Sequence, residues 1–259
     1  MREVEIVKID VSAKTVQRMK DYVAEEKSLH IFLNKNHYAI IFCSPENLKE
    51  LVVGHLLSEG ILRSEEEIEK ISIEENVYKV KFKQNVDLDK RLKLSRHYSR
   101  IILSACGNQT PYQPLRKLPR IESKMTVKAE TILECVSRLN SIAETFRKTG
   151  GVHIAAIYKS DGSLVASAED VGRHNAVDKV IGSGVLNKIN LNECFLALSG
   201  RLTGDIVLKA ARVGLPVVAS LAGAVDSGIA IAKDANLTLI GFVRGKRMNV
   251  YNAPERILS

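Results

Sequence analysis

The sequence predicts an α/β protein with two lobes: a smaller N-terminal α+β lobe over residues 1–120 and an α/β domain over residues 121–259. From residue 152 onward, short apolar runs alternate with amphipathic stretches, which is typical of a largely parallel sheet covered by helices. The first hundred residues instead place short alternating strands in hairpins around one helix. With 259 residues, 45% of them hydrophobic, the chain can bury the core that this architecture requires.

Composition and charge narrow the functional class. The chain has no apolar run of about 18 residues, the length of a membrane-spanning helix, and it starts Met1-Arg2-Glu3 rather than with a basic and then apolar leader. We therefore expect a cytoplasmic protein with no membrane partner. The net charge of +8 favours a polyanionic partner, either a nucleic acid or a multi-phosphate small molecule. The absence of tryptophan and an aromatic content of 5% argue against a nucleic acid.

The N-terminal lobe is predicted from stretches of alternating residues. A strand is expected at 1–9, a hairpin at 29–43, a short helical piece at 65–70 and a second hairpin at 71–82. Between the hairpins, Ser44-Pro45 has the pattern of a helix start, with serine as the N-cap and proline at the first helical position. Gly60 is expected to end this helix.

The four cysteines are widely spaced and include no CxxC pair, which argues against a zinc ribbon and against a disulfide scaffold. Three of them occupy apolar or near-apolar positions and are predicted to lie in the core: Cys43, Cys135 and Cys194. Cys106 differs, because it follows a short strand at 101–103 and opens a loop, 107–120, that holds three of the six prolines. Exposure and mobility suit a reactive thiol, so Cys106 is either a chemical cysteine or an inert one.

The C-terminal domain is predicted as a regular series of elements. A long amphipathic helix is expected at 126–148, closed by Gly150-Gly151. The following elements, in order, are a hairpin at 152–158 and 164–169, a helix at 175–187, a strand at 194–198, a helix at 203–213, a strand at 216–220, a helix at 225–234 and a strand at 237–243.

Polar residues follow these strands at the points where the strands end. Because ligands of open α/β sheets bind at the carboxyl ends of the parallel strands, we expect these side chains to meet at one rim. The candidates at this rim are Thr149, Gly150, Gly151, His153, Glu169, Asp170, Arg173, His174, Ser199, Arg201, Ser220, Arg244, Lys246 and Arg247. Arginines bind phosphates with two hydrogen bonds, and helix N-termini add backbone N–H groups, so the rim predicts anion recognition. Neither a Walker A sequence nor GxGxxG occurs.

Two histidines and two charged residues in this region have alternative roles. His153 and His174 are candidate acids, bases or phosphate donors, but a lone histidine also serves structure. Asp178 and Lys179 follow His174 within the same helix and are predicted to be structural.

Taken together, these residues closely resemble the FdhD family of formate dehydrogenase accessory sulfurtransferases. The longest matching run is Glu169 to Lys179, which reads EDVGRHNAVDK. The other matching runs, in order, are Ser44-Pro45-Glu46-Asn47-Leu48, Leu57-Ser58-Glu59-Gly60, Thr149-Gly150-Gly151-Val152-His153, Ser199-Gly200-Arg201, Lys209-Ala210-Ala211 and Gly241-Phe242-Val243-Arg244. The resemblance extends nearly from end to end.

The resemblance implies a cytoplasmic sulfurtransferase that takes persulfide sulfur from a cysteine desulfurase. It passes the sulfur to the molybdenum (or tungsten) bis(pyranopterin guanine dinucleotide) cofactor of formate dehydrogenase, which the protein binds as a substrate and which GDP would mimic. The family's persulfide cysteine falls on Cys106, and its cofactor-binding segment falls on Phe242, Val243, Arg244, Gly245, Lys246 and Arg247. We expect Arg173, His174, Ser199 and Arg201 to line the same pocket. The family also has a C-terminal domain similar to the α/β/α fold of cytidine deaminases, and it forms homodimers.

One departure from the family leaves two functions open. Many members carry Cys-Gly-x-Cys, whereas this chain reads Cys106-Gly107-Asn108-Gln109. A single thiolate can accept and release sulfane sulfur, which keeps the sulfurtransferase hypothesis. The missing second cysteine favours a chaperone that delivers the cofactor without covalent sulfur transfer. A nucleic-acid-binding protein ranks last, and zinc-dependent deamination is rejected because HxE and PCxxC are absent.

Overall fold

The computed structural model describes residues 1–95 and 118–258, with side chains up to position 92 in the first range. The N-terminal elements are β1 (Arg2–Asp10), β2 (Thr15–Val23), β3 (Lys27–Leu33), β4 (Asn36–Cys43), α1 (Leu48–Ser58), β5 (Ile68–Glu74), β6 (Val77–Phe82) and α2 (Leu88–Ser95). Strands β1 and β2 form a separate hairpin, and the other four form a sheet in the order β4-β3-β6-β5. Both hairpins predicted in this lobe are confirmed.

The C-terminal half contains a six-stranded sheet in the order β13-β12-β11-β10-β8-β9. Its elements are β7 (Val127–Lys128), α3 (Ala129–Ile142), α4 (Glu144–Thr149), β8 (His153–Lys159), β9 (Leu164–Asp170), α5 (Arg173–Leu186), β10 (Cys194–Leu198), α6 (Gly204–Arg212), β11 (Val217–Ser220), α7 (Asp226–Ala235), β12 (Thr238–Arg244), β13 (Arg247–Asn252) and β14 (Ile257–Leu258). Strands β10, β11 and β12 are parallel, whereas β8 runs antiparallel to β10 and to β9. The predicted order of strands and helices is confirmed, but the expectation of a largely parallel sheet is wrong. The sheet is mixed, because β8, β9 and the unpredicted β13 pair antiparallel with their neighbours.

Helices cover both faces of this sheet because its central strands alternate their apolar side chains. Along β8, Ile154, Ala156 and Tyr158 face α3, and the intervening Ala155 and Ile157 face the opposite layer. That opposite layer contains α5, α6 and α7, and α1 packs on the outer side of α5. The described residues include no helix that is long and apolar enough to cross a membrane.

Helices α1 and α5 approach so closely that their backbones touch. A Cβ atom at Gly54 would lie 1.8 Å from the carbonyl oxygen of Asp178, and one at Gly182 would lie 1.9 Å from that of Glu50. Only glycine fits at such a crossing. A single buried cluster consequently includes residues from both halves of the chain.

The predicted long helix at 126–148 is wrong in one respect: the chain breaks at Ala143, which has φ −87° and ψ 84°, between α3 and α4. The carboxylate of Glu169 explains the break. It accepts hydrogen bonds from the backbone N–H groups of Thr145 at 2.8 Å and Phe146 at 2.7 Å, two of the donors that a new helix start leaves unpaired.

The predicted helix start at Ser44-Pro45 is also wrong. Helix α1 begins at Leu48, after Asn47 in a left-handed conformation with φ 54°. Ser44 is used elsewhere: its N–H donates to Asp170 at 3.0 Å, and its hydroxyl accepts from the N–H of Val171 at 3.1 Å. The serine therefore fastens the end of β4 to the end of β9 rather than capping a helix.

Two further differences concern the ends of the N-terminal lobe. The strand expected at 1–9 exists as β1, but its partner β2 was not predicted, because β2 is exposed along its whole length and has no buried face to impose alternation. The helical piece expected at 65–70 is a short 3₁₀ turn over Glu65–Glu67, after which β5 begins. The predicted strand at 101–103 and most of the loop 107–120 lie outside the described residues.

Candidate functional site

The predicted rim exists where the parallel strands end. The residue after β10, Ser199, accepts a hydrogen bond from the N–H of Ile154 at 3.1 Å and lies 3.3 Å from Nδ1 of His153, at the start of β8. The last residue of β11, Ser220, donates to the carbonyl of Gly200 at 2.6 Å. These bonds hold the start of β8 and the loops after β10 and β11 together at one edge of the sheet.

Small residues allow the cationic and aromatic side chains of the rim to lie against backbone. A Cβ at Gly200 would lie 3.0 Å from the Cβ of Arg173, so the side chain of this first residue of α5 packs on the loop after β10. A Cβ at Gly223 would lie 2.6 Å from the ring of Phe242. The guanidinium of Arg244 lies 5.8 Å from the centre of that ring, and its Nε donates to the carbonyl of Leu221 at 3.2 Å.

The structure distributes the predicted C-terminal segment over two environments. Phe242 has φ 53° and is 42% exposed, which presents its ring to solvent at the rim. The side chain of Val243 points the other way and is buried in the core beneath α3. Gly245 has φ 56° in the turn from β12 to β13, which places the exposed Arg244 opposite the exposed Arg247, with the exposed Lys246 between them.

Both histidines of the rim are neutral at pH 7. Burial lowers the pKa of His153, and the neighbouring Arg173 and Arg201 lower it further. Burial and then Arg173 lower the pKa of His174 to about 3. The Nε2 atom of His174 is buried and has no hydrogen-bond partner among residues 1–92 and 118–258. The positive charge of the rim therefore comes from its arginines and Lys246.

The run Glu169 to Lys179 contributes more to structure than its polar composition indicated. Asp170 and Lys179 form an ion pair of 2.7 Å in which both side chains are 0% exposed. Asp170 also accepts from the N–H groups of Ser44 and Gly172 and from the side chain of Asn175. Of this run, Arg173 packs on the loop after β10, whereas the pKa of the adjacent His174 is affected by Arg173 and also by Lys209, Asp178 and Glu59.

A second buried cluster, which we call the Asp178 cluster, links α1 to α5 and α6; its members are Tyr38, His55, Ser58, Glu59, Asp178, Lys209 and Arg212. Lys209 lies 2.9 Å from Asp178 and 3.1 Å from Glu59. Burial raises the pKa of Asp178, but Lys209 and His55 lower it more, to about 2. The predicted structural role of Asp178 and Lys179 is confirmed. The rest of the cluster was missed, although a lysine between Leu208 and Ala210 on an apolar helix face was a signal for it.

The three cysteines predicted to lie in the core are confirmed as buried. Burial raises the pKa of the thiol to about 12 in Cys43 and to about 11 in Cys135. These thiols are protonated and inert at pH 7. Cys106 lies outside the described residues. The described residues include no group of three or more histidine, cysteine or acidic side chains that could hold a metal ion.

The described residues on either side of the Cys106 segment are fixed by hydrogen bonds, and the one after it lies at the edge of the sheet opposite the rim. Before it, Arg91 donates to the carbonyl of Ile61 at 3.0 Å and pairs with Glu67 at 2.6 Å. After it, the N–H of Ile121 donates to the carbonyl of Ala235, the last residue of α7, at 2.8 Å. Helix α7 ends where β12 begins, so residue 121 lies at the amino edge of the parallel strands.

Comparison with known proteins identifies the family of this chain. A model of the FdhD/NarQ family matches residues 24–258. The chain belongs to the FdhD/NarQ family. A relative from Methanothermobacter thermautotrophicus, named sulfur carrier protein FdhD, is 35% identical over 99% of this chain and 98% of its own length. A relative of the same name from Bacillus subtilis is 33% identical over 93% of this chain and 92% of its own.

A solved structure shows that the family fold extends over the whole chain. The crystal structure of a protein from Desulfotalea psychrophila, described as a formate dehydrogenase accessory protein, aligns with a TM-score of 0.78. The alignment covers 99% of both chains at 29% sequence identity. The mixed α/β architecture of this FdhD/NarQ protein is therefore that of a solved relative.

Proposed function

We propose that this protein is a sulfur carrier that serves formate dehydrogenase. It receives persulfide sulfur on Cys106 from a cysteine desulfurase and passes it to the molybdenum (or tungsten) bis(pyranopterin guanine dinucleotide) cofactor. The relatives named sulfur carriers support the reaction class. The observation that carries the proposal is the basic rim, where Arg244 lies 5.8 Å from the exposed ring of Phe242 and Arg173 and Arg201 lie close enough to His153 to lower its pKa.

The rim has the chemistry that a guanine dinucleotide needs. Its arginines would bind the pyrophosphate with paired hydrogen bonds, and the ring of Phe242 would stack on a guanine or pterin ring. Ser199 would add a hydroxyl group. The neutral His174, whose buried Nε2 has no partner among the described residues, would exchange a hydrogen bond with the ligand without adding charge. GDP would occupy the same site as a smaller mimic.

The sulfur chemistry at Cys106 would proceed in two exchanges. The Cys106 thiolate attacks the outer sulfur of the desulfurase persulfide, and the S–S bond of that persulfide breaks to release the desulfurase thiolate. Delivery then breaks the new S–S bond with Cys106 leaving as thiolate. The two electrons that reduce the sulfane sulfur to sulfide would be supplied by the cofactor, which is the substrate of this transfer and would be oxidised by the same amount. One cysteine is sufficient for this sequence.

Three further properties belong to this proposal. The C-terminal half would share the α/β/α arrangement of cytidine deaminases, which the layers on both faces of the six-stranded sheet support. The protein would act in the cytoplasm. It would do so as a homodimer.

A chaperone that delivers the cofactor without covalent sulfur transfer is the second candidate. Gln109, at the position of the family's second cysteine, favours it. Both candidates need the rim, and they differ in whether Cys106 carries sulfur.

Intact-protein mass spectrometry separates the two functions. The protein is incubated with a cysteine desulfurase and cysteine, and a Cys106→Ala variant is treated in the same way. A gain of one sulfur that a reducing agent removes, and that the variant lacks, is expected for the sulfur carrier. No gain in a protein that still binds GDP would leave the chaperone.

Calorimetric titration with GDP tests the rim itself. A charged hydrogen bond contributes about 1.5–3 kcal/mol, so an Arg201→Ala, Arg244→Ala double variant is expected to bind GDP roughly 100-fold more weakly. Arg138→Ala, which removes an exposed arginine from α3, serves as the matched control. Unchanged affinity in the double variant would remove the rim from the proposal.

A further inference from the structure

The N-terminal hairpin of β1 and β2 makes no hydrogen-bonded ladder with any other strand in the described part of the chain. Its nine cross-strand pairs run from Arg2 opposite Val23 to Asp10 opposite Thr15. All nine residues of β2 are exposed, as are seven of the nine in β1. A two-stranded hairpin standing alone is at best marginally stable in water, so this ribbon needs a partner.

The apolar residues of the hairpin are exposed toward its tip. Val7, Ile9 and Val16 are 55%, 66% and 69% exposed, and Val11 in the turn is 84% exposed. Exposed apolar residues concentrated on one element indicate an interaction surface. The base of the hairpin is fixed, because Ala24 packs against Gly151, where an added Cβ would lie 3.0 Å away.

We propose that the β1 edges of two copies of this chain pair antiparallel about Ile6, which joins the two hairpins into one four-stranded sheet. The inference rests on the homodimer proposed above and assigns its interface. Both edges of the hairpin are free to pair within the described residues, and an unpaired edge is a ready template for another strand. The choice between the two edges, and of the register, follows from charge.

Two-fold symmetry restricts the registers that identical strands can form. Residues directly opposite each other in an antiparallel pair lie on the same face of the sheet, so each strand must be centred on a residue rather than between two. With the axis at Ile6, Arg2 meets the partner's Asp10, and the same contact occurs again at the other end. Opposite charges at such positions stabilise a sheet, and this register contains no like-charged pair.

The competing registers are less favourable. Centred on Glu5, the β1 edges would place that carboxylate opposite the partner's Glu5, and Arg2 opposite the partner's Lys8. Centred on Met19, the β2 edges would place Arg18 opposite the partner's Lys20 on both sides of the axis. Like charges that face each other directly destabilise a sheet. Centred on Val7, fewer residues pair and no opposite charges meet.

The proposed contact has the size of a specific interface. Nine paired residues on each strand would form about nine backbone hydrogen bonds, within the range of roughly ten that typical protein interfaces contain. The four-stranded sheet would also satisfy the requirement for three or more strands that a single hairpin does not meet.

Disulfide cross-linking tests the register. Residues opposite each other at the two-fold axis have Cα atoms about 4.5–5.5 Å apart, a distance that a disulfide spans. In a Cys106→Ser background, Ile6→Cys is therefore expected to give a covalent dimer on mild oxidation. Glu5→Cys is the matched control, because its Cα would lie more than about 7 Å from that of the partner's Glu5, too far for a disulfide. Its side chain also points to the face of the sheet opposite to that of Ile6.

The remaining outcomes each overturn the inference. A cross-link through Met19→Cys but not Ile6→Cys would show that β2 forms the interface. A two-chain mass by sedimentation with no cross-link through Ile6→Cys would place the interface elsewhere while the proposed homodimer stands. A one-chain mass for the unmodified protein would remove the homodimer too. The affinity of Ile6→Cys for GDP is expected to match that of the unmodified protein. The proposed interface and the proposed sulfur carrier function are therefore tested independently.

Discussion

The Asp178 cluster gives the sharpest test of the fold, through a Lys209→Met variant. The lysine side chain is 7% exposed and lies 2.9 Å from Asp178 and 3.1 Å from Glu59. Methionine keeps an unbranched apolar chain of similar length but has no charge. The substitution therefore leaves the buried carboxylate of Asp178 and the partly exposed one of Glu59 with Arg212 and His55 as the remaining basic side chains beside them.

The expected loss of stability is large because the charge that remains on Asp178, whose side chain is 2% exposed, is not solvated by water. Removing one partner of a buried ion pair costs about 3–5 kcal/mol, a substantial part of the roughly 5–15 kcal/mol that stabilises a typical protein. We expect Lys209→Met to lower the free energy of unfolding by about 4 kcal/mol at pH 7. Lys233→Met, which removes an exposed lysine from α7, is expected to change it by less than about 0.5 kcal/mol.

The pH dependence has a definite sign. In the unmodified protein Lys209 and His55 outweigh burial and hold the pKa of Asp178 at about 2, below its unfolded value of about 3.9. The ionised carboxylate therefore stabilises the fold above about pH 4, and this contribution is lost as the pH falls toward the folded pKa. Without Lys209, burial is expected to raise the pKa of Asp178 in the folded state, so protonation of this carboxylate removes part of the destabilisation of the variant. Its deficit should be largest at neutral pH and shrink on acidification.

Urea unfolding followed by far-ultraviolet circular dichroism measures these quantities, since the chain has no tryptophan for fluorescence. Both lysine variants are compared with the unmodified protein at pH 7 and in mild acid. A loss below about 1 kcal/mol for Lys209→Met, or a deficit that grows as the pH falls, would refute the reasoning from buried charge.

Two other predictions concern glycines. Gly54→Ala would place a Cβ 1.8 Å from the carbonyl oxygen of Asp178, so α1 and α5 must separate. We expect the free energy of unfolding to fall by about 3 kcal/mol, or the variant to fail to fold. An unchanged urea midpoint would contradict the close helix crossing. Gly223→Ala would place a Cβ 2.6 Å from the ring of Phe242, so the ring must move. We expect the affinity for GDP in calorimetric titration to fall several-fold, while the urea midpoint shifts little. An affinity equal to that of the unmodified protein would argue against stacking on that ring.

Local patterns in the sequence were sufficient for much of the C-terminal half. The continuous apolar run of β8 and the regular exchange of strands and helices predicted the sheet, because a strand covered on both faces buries side chains of both directions. The rim could be placed for the same reason: parallel strands must end at one edge, so Ser199, Arg201 and Arg244 had to meet there. The resemblance to a family then supplied the expected ligand.

Long-range contacts decided the features that were missed. The break at Ala143 depends on the carboxylate of Glu169, and the fate of Ser44 depends on Asp170, both far away along the chain. A local sequence pattern cannot predict such partners, because the sequence around a polar residue is the same whether its side chain contacts water or a distant carboxylate. The exposed strand β2 was missed for the opposite reason, since it has no buried face to leave a pattern.

The sequence by itself determined most strands and helices of the C-terminal half and which edge of the sheet collects the cations, because these depend on periodicity and chain direction. Tertiary structure alone decided which polar residues of the run from Glu169 to Lys179 are internal and which remain at the rim. Asp170 and Lys179 became structural because they are buried and paired with each other, and their other hydrogen bonds go to nearby backbone and, for Asp170, to the side chain of Asn175. Arg173 lies at the start of α5, at the carboxyl edge of the sheet, and remains at the site.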